Sequence, residues 1–271
     1  MSEWMRADGV AIVTGAAGGM GRECARLLAE DGWPELLLCD LDEARLEAVA
    51  EPLRAAGATV SVLAGEVTAP EFWSALTAAV AGKGIGAMIH TAGVSPHMCG
   101  AQRLLEINLD ATVMLVDAIQ PLMNARGGVV LFASMASYFS ISPEADAAFV
   151  GPLPDAPAAR LVSLAPSSEA AYPLSKRAVR AIAQREARRF GERGARIVSM
   201  SPGFIDTPMM TDEMNPQVQH MLEQSALARL GRPAELAAVA VFLCGPRAGF
   251  VTGCDIIVDG GALAALGIPK V

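Results

Sequence analysis

The chain has 271 residues, 52% of them hydrophobic and 5% aromatic. A length so rich in Ala, Val and Leu suffices for one large core of helices packed on both faces of a parallel sheet. Its net charge of -8, with no Lys/Arg cluster, argues against nucleic acid or an anionic membrane as a partner. Five scattered cysteines without a CxxC pair argue against disulfides, and three distant histidines offer no metal-ligand spacing, so no metal is expected. The N-terminus lacks a basic segment followed by an apolar one, and no run approaches the length of a membrane span. A cytoplasmic protein is expected.

In chain order, the apolar run over 10–14 reads as a buried strand. It breaks into Gly15-Ala-Ala-Gly-Gly-Met-Gly21, with a helix beginning near Gly19. A strand, a glycine turn and a helix N-terminus make a phosphate site, because the backbone can approach an anion that the first N–H groups and the helix dipole favour. A second apolar run over 36–39 ends at Asp40, nineteen residues past Gly21. A carboxylate there is placed to accept hydrogen bonds from the adenosine ribose of a dinucleotide. Then follow a helix over 43–56, a strand over 60–63, a helix over 71–80, a strand over 87–91 and a long helix over 104–123. A strand over 129–133, a helix over 170–193, a strand over 196–200, a helix over 234–243 and a strand over 255–258 complete the pattern. Such alternation predicts an α/β fold: a single Rossmann-type domain over 1–271, with a doubly wound parallel sheet and ligands at the carboxyl ends of its strands. Two segments break the rhythm. Residues 139–169 are Pro-rich and read as an insert, and 203–226 carry four methionines and read as a substrate lid. Both are expected to flank the site.

Tyr172-Pro-Leu-Ser-Lys176 opens a helix and puts Tyr and Lys at i and i+4 on one face. A neighbouring ammonium favours a phenolate, which gives such a pair acid/base logic, although a Tyr four residues before a Lys is common on surfaces. Pro173 suits a first helical turn. Ser134, just past a strand, could hold a carbonyl oxygen against Tyr172 or simply cap the next segment. Asn108 lies within an apolar helix, where a buried amide must find a partner, and a bond to backbone is the plain alternative.

The order and placement of these motifs resemble the short-chain dehydrogenase/reductase family over essentially the whole chain. The matches are Thr14-Gly-Ala-Ala-Gly-Gly-Met-Gly21, Ala92-Gly93, Asn108, Ser134, Tyr172-x-x-x-Lys176, Ser201-Pro-Gly203 with Thr207, and Val251-Thr-Gly253 with Val258-Asp-Gly-Gly261. The resemblance implies Tyr172 as acid/base and Ser134 as carbonyl binder. It gives Lys176 two tasks, lowering the Tyr pKa and binding nicotinamide ribose, and it sets Asn108 on a proton relay. It implies cofactor contacts at Gly15, Ala17, Gly18, Gly19, Met20, Gly21, Asp40, Leu41, Glu66, Val67, Ala92, Gly93, Tyr172, Lys176, Pro202, Gly203, Ile205 and Thr207, and a homo-oligomer, with residues 262–268 as contacts. His90-Thr91 stands where the family has Asn-Asn, so His90 is expected to pack in the sheet or bond backbone. Glu66-Val67 replaces the usual Asp-led pair. The 38-residue spacing from Ser134 to Tyr172, with Ser134-Met-Ala-Ser137, resembles a bacterial hydroxysteroid dehydrogenase/carbonyl reductase branch.

Asp40 bears on cofactor choice. Its charge beside the ribose repels a 2′-phosphate by on the order of several kcal/mol, and Ala16, Ala17 and Leu41 supply no cation. NAD is therefore expected, with a secondary alcohol or ketone as substrate. The methionines of the lid suit a bulky apolar substrate, steroid- or terpenoid-like, and equally suit a helix or subunit contact. A regulatory nucleotide-binding protein on the same fold is the competing reading. It predicts replacement of Tyr172 or Lys176, and both are present.

Overall fold

The structure is a computed structural model that describes residues 8–149 and 157–268. The N-terminal segment read for a leader, Pro152 and Pro154 of the insert, and the last three residues lie outside the described residues. Seven parallel strands form one sheet in the order β3-β2-β1-β4-β5-β6-β7. They are β1 (Val10–Thr14), β2 (Glu35–Asp40), β3 (Val60–Ala64), β4 (Ile85–His90), β5 (Met123–Phe132), β6 (Arg196–Pro202) and β7 (Asp255–Val258). Chain order reverses between β1 and β4, which opens the crevice where such sheets hold ligands.

Side chains alternate across β1 and divide the core in two. Val10 and Ile12 join the layer under α3 (Pro70–Ala79), α4 (Ala101–Leu105), α5 (Ala111–Ile119) and α8 (Ser168–Gly191). Ala11 and Val13 join the layer under α1 (Gly19–Glu30), α2 (Glu43–Ala55) and α11 (Pro233–Cys244). Every residue of β1, β4 and β6 is buried, as covered parallel strands require. Cys24, Cys39 and Cys244 are buried in this core, and all five cysteines are free. No helix among the described residues is long and apolar enough to cross a membrane.

The structure corrects three expectations. The helix expected over 104–123 is three pieces: α4, a π-helical turn Glu106–Asp110, and α5, followed by a 3-10 turn Gln120–Leu122. The apolar period runs through the π turn unbroken, while Pro121, which lacks an N–H, marks where regular helix ends. Strand β5 consequently begins at Met123, with a bulge that carries Arg126 at φ 71°. Helix α8 starts at Ser168, capped by Ser167, so Pro173 sits inside the helix rather than in its first turn and removes one backbone hydrogen bond. Third, the described interior of the insert is not a rim of the site. Its short helices α6 (Pro143–Ala147) and α7 (Pro157–Leu161) bury Ala145, Ala158 and Leu161 in the core, and Ala158 N–H donates to Asp110 Oδ1 at 2.9 Å.

A smaller cluster joins Met135, Tyr138 and Phe204 to Leu222, Ala262 and Leu263, beneath α9 (Pro208–Glu213), α10 (Pro216–Gln224) and α12 (Ala262–Ala265). Ala262 and Leu263 of the expected subunit contact are thus packed within their own chain.

Candidate active site

The glycine turn leaves the end of β1 with Gly15 at φ 70°, a conformation costly for any other residue. A Cβ there would also lie 2.7 Å from both Ala92 N and Thr91 Oγ1, and one on Gly21 would collide with the Gly15 carbonyl. Thr91 Oγ1 donates to Thr14 O at 2.8 Å and so ties the ends of β1 and β4. No side chain caps α1, whose N-cap is Gly18, and its first turn carries no acidic residue. Its leading N–H groups are therefore left for an anion. Asp40 stands beside this turn, accepting from Ala17 N–H at 2.9 Å and Leu41 N–H at 2.7 Å. A carboxylate has lone pairs left after these two bonds, so ribose hydroxyls can still be served. These features fit the diphosphate and ribose of a dinucleotide.

Other expected contacts divide. Leu41 is largely exposed, and Glu66 is ion-paired with Arg103. Val67 gives its carbonyl to Trp73 Nε1 at 2.8 Å. Across the cleft, Thr207 caps α9 and reaches toward Gly19, with Cγ2 3.1 Å from where a Cβ would lie. Pro202, Gly203, Ile205 and Thr207 line one cavity together with Met20 and Gly93. Arg45 was not singled out in the sequence. It donates from Nη2 to Ala17 O at 3.2 Å, putting a cation at the cradle's rim. Its signal was available, since a helix capped by Asp42 puts position 45 in its first turn.

Deeper in, Lys176 is buried and donates to Phe132 O at 3.0 Å, at the end of β5. Its ammonium lies 5.8 Å from the centroid of the Tyr172 ring. Asn108, on the π turn, is buried. Its Oδ1 accepts from Val94 N–H at 2.8 Å, and its Nδ2 donates to Val94 O at 3.0 Å and Ser175 Oγ at 3.3 Å. The backbone-bonded alternative for this amide is thus realised. Asn108 and Lys176 meet over Gly93, where a Cβ would crowd Oδ1 at 3.0 Å and Nζ at 3.3 Å. Ser134 caps the 3-10 turn Met135–Tyr138 through Ala136 N–H at 3.1 Å and lies where its hydroxyl favours the ionised Tyr172. Arg180, two turns along α8 from Tyr172, donates to Ser137 O at 3.2 Å and stacks 3.5 Å from the Tyr138 ring centroid. Tyr138 in turn donates to Asp255 at 2.8 Å. The segment that follows Ser134 is held to α8 by this network.

His90 is buried in β4, with Nδ1 2.7 Å from Thr14 Oγ1 and Nε2 3.3 Å from Thr112 Oγ1. Thr112 gives its own proton to Asn108 O at 2.8 Å, which assigns the imidazole proton to Nε2 and leaves Nδ1 to accept from Thr14. His90 packs in the sheet as expected, but its partners are hydroxyls rather than backbone.

Burial dominates the electrostatics. It pushes the Tyr172 phenol up to about 12, with the Ser134 hydroxyl pulling down and the Glu213 charge pushing further up. It pushes Lys176 down to about 8 and His90 down to about 3, the latter helped by the Lys176 charge. Desolvation is the largest influence on Tyr172, and Lys176 gives its hydrogen bond to Phe132 O.

The cavity measures about 370 Å³ and is bounded by Ser134, Tyr172 and Lys176 on one side and by residues of the 203–226 segment on another. Met209, Met210 and Met221 line it, whereas Met214 is outside. Of the insert only its ends, Phe139 and Glu169, take part among the described residues; the loop after β4 supplies Val94, Pro96 and His97 instead. Val94, Pro96, His97 and Glu213 were not singled out in the sequence, although Ala92-Gly93 open the same loop and Glu213 lies in the segment read as a lid. No group of His, Cys, Asp or Glu able to hold a metal occurs among the described residues.

Comparison with known proteins agrees with this geometry. A family model described as short chain dehydrogenase matches residues 9–144, and one described as Enoyl-(Acyl carrier protein) reductase matches 160–262. The chain is 31% identical over 268 residues to the short-chain dehydrogenase/reductase bsc3 of Alternaria brassicicola, covering 94% of this chain and 96% of that one. It is 28% identical to a 3-alpha-(or 20-beta)-hydroxysteroid dehydrogenase of Mycobacterium bovis, covering 95% and 90%. The crystal structure of a short-chain dehydrogenase/reductase, glucose/ribitol dehydrogenase, from Brucella melitensis superposes with a TM-score of 0.77 at 27% identity, covering 96% of this chain and 99% of that one.

Proposed function

The chain belongs to the short-chain dehydrogenase/reductase family of oxidoreductases, and we propose that it interconverts a secondary alcohol and a ketone with NAD as cofactor. The observation that carries this reading is the convergence of Ser134, Tyr172 and Lys176 on one cavity that also reaches Met20 of the glycine cradle. The cradle, Asp40 and Thr207 would hold the dinucleotide, and its nicotinamide supplies hydride acceptance or donation. Tyr172 gives its phenolic proton to the carbonyl oxygen in reduction and takes it back in oxidation. Ser134 donates to the same oxygen and fixes it against Tyr172. Lys176 holds the nicotinamide ribose, and with Asn108 it relays the proton inward; their meeting over Gly93 supports this role.

Asp40 supports NAD over NADP, because its charge stands where a 2′-phosphate would lie. Arg45 favours a second reading, use of NADP, since its guanidinium borders the same turn. The apolar walls support a bulky apolar substrate, steroid- or terpenoid-like. The family resemblance supports a homo-oligomer. The test is a screen of secondary alcohols with NAD and with NADP, read at the nicotinamide absorbance. Turnover with NAD at higher kcat/KM supports the proposal; preference for NADP overturns the cofactor assignment, and no turnover with either overturns the activity.

A further inference from the structure

One acidic group in the cavity has no part in the chemistry above. Glu213 ends α9 and lines the cavity among methionines, with Pro96, His97 and Val218 on the same walls. Its Oε1 is buried and, among the described residues, has no hydrogen-bond partner. The buried Ser95 hydroxyl favours the ionised carboxyl without closing a hydrogen bond to it. Buried polar groups in native proteins are otherwise almost always satisfied, so an acceptor left open in a ligand cavity is an unfilled contact. Burial raises the Glu213 pKa while His97 opposes the shift, and the Glu213 charge bears on the Tyr172 phenol. Acceptor and reacting centre line the same cavity.

We propose that Glu213 is a specificity-determining residue that accepts a hydrogen bond from a second hydroxyl of the substrate. The enzyme then prefers diols over mono-alcohols of the same skeleton. This inference rests on the oxidoreductase reading above. A hydroxyl suits the site better than an ammonium, because the same cavity already holds the basic side chain of Lys176.

The test compares cyclohexanol with 1,2-, 1,3- and 1,4-cyclohexanediols as substrates for oxidation. In the wild type the best diol exceeds cyclohexanol in kcat/KM by about tenfold or more, the scale of a hydrogen bond to a charged group. Glu213→Leu brings that ratio to within about twofold of one. Glu213→Gln, nearly isosteric, keeps part of it through its amide carbonyl. A wild-type ratio near one at every spacing overturns the proposal, as does a diol preference that survives Glu213→Leu. A 2-aminocyclohexanol preference that vanishes in Glu213→Leu also overturns it, by making the handle cationic. If nothing in the panel turns over with either cofactor, the oxidoreductase reading has failed separately, and calorimetric titration with the same diols decides the inference. At least tenfold weaker diol binding in Glu213→Leu then supports it; equal binding, or none in the wild type, overturns it.

Discussion

The ammonium of Lys176 lies 5.8 Å from the centroid of the Tyr172 ring, yet it gives its hydrogen bond to the Phe132 carbonyl, 3.0 Å away. The two side chains share a helix face at i and i+4, but the cation is anchored at the strand end rather than at the phenol oxygen. Burial is the largest influence on both, raising the phenol to about 12 and lowering the ammonium to about 8. Each is driven toward its neutral form.

That pairing has a kinetic consequence. Alcohol oxidation needs the deprotonated Tyr172, whose population rises with pH everywhere below the phenol pKa. The kcat/KM for oxidation is expected to climb from pH 6 to pH 9, while that for ketone reduction, which uses the protonated phenol, gains nothing. Initial rates in both directions across this range check it. An oxidation rate that is flat from pH 6 would mean that the base is another group.

Replacing Tyr172 by Phe removes the proton donor and little volume. The expected loss in kcat is about 10²–10⁴-fold, with the affinity for NADH, followed by fluorescence titration, changed only severalfold. Loss of NADH binding in step with activity would instead make Tyr172 a structural residue.

Asp40 and Arg45 act in opposite senses on cofactor choice. Asp40→Asn keeps one acceptor oxygen for Ala17 N–H and removes the charge, so the NADP/NAD ratio of kcat/KM is expected to rise by about tenfold or more. Arg45→Ala should lower the same ratio. Steady-state kinetics with both cofactors decide, and an unchanged ratio in both variants would place the selectivity elsewhere.

His90 makes stability depend on pH. Its folded pKa of about 3 is below the ordinary 6.5, so the unfolded chain binds the extra proton first, and stability falls as pH drops from about 6.5 toward 3. A second ring proton would also turn Nδ1 from an acceptor for Thr14 into a donor. The loss between pH 7 and pH 4 is expected on the order of a few kcal/mol. Urea unfolding at the two pH values should show a smaller loss in His90→Gln. Equal losses in the two proteins would remove His90 as the cause.

Much of this was legible before any fold was seen. Strand β1 occupies the residues its apolar run predicts, because a strand covered on both faces must be continuously apolar. Gly15 and Gly21 could be read as a cradle because only glycine tolerates the backbone angle at Gly15 and the close approach at both. Other features were hidden. The π turn at Glu106–Asp110 leaves the apolar period intact, so nothing in the pattern betrays the break that carries Asn108. The insert's prolines suggested a rim, whereas Ala145, Ala158 and Leu161 give it a place in the core.

By itself, then, the sequence determined the alternating fold, the family and the identity of the residues grouped around the cleft, since periodicity and glycine sterics are local properties of the chain. Only the tertiary structure decided what surrounds them. Whether Lys176 reaches the Tyr172 oxygen, what His90 bonds, which loop walls the cavity and where Glu213 is left without a partner all depend on burial and on distances between residues far apart in the chain. Desolvation and hydrogen-bond geometry are set by packing, and no local pattern encodes them.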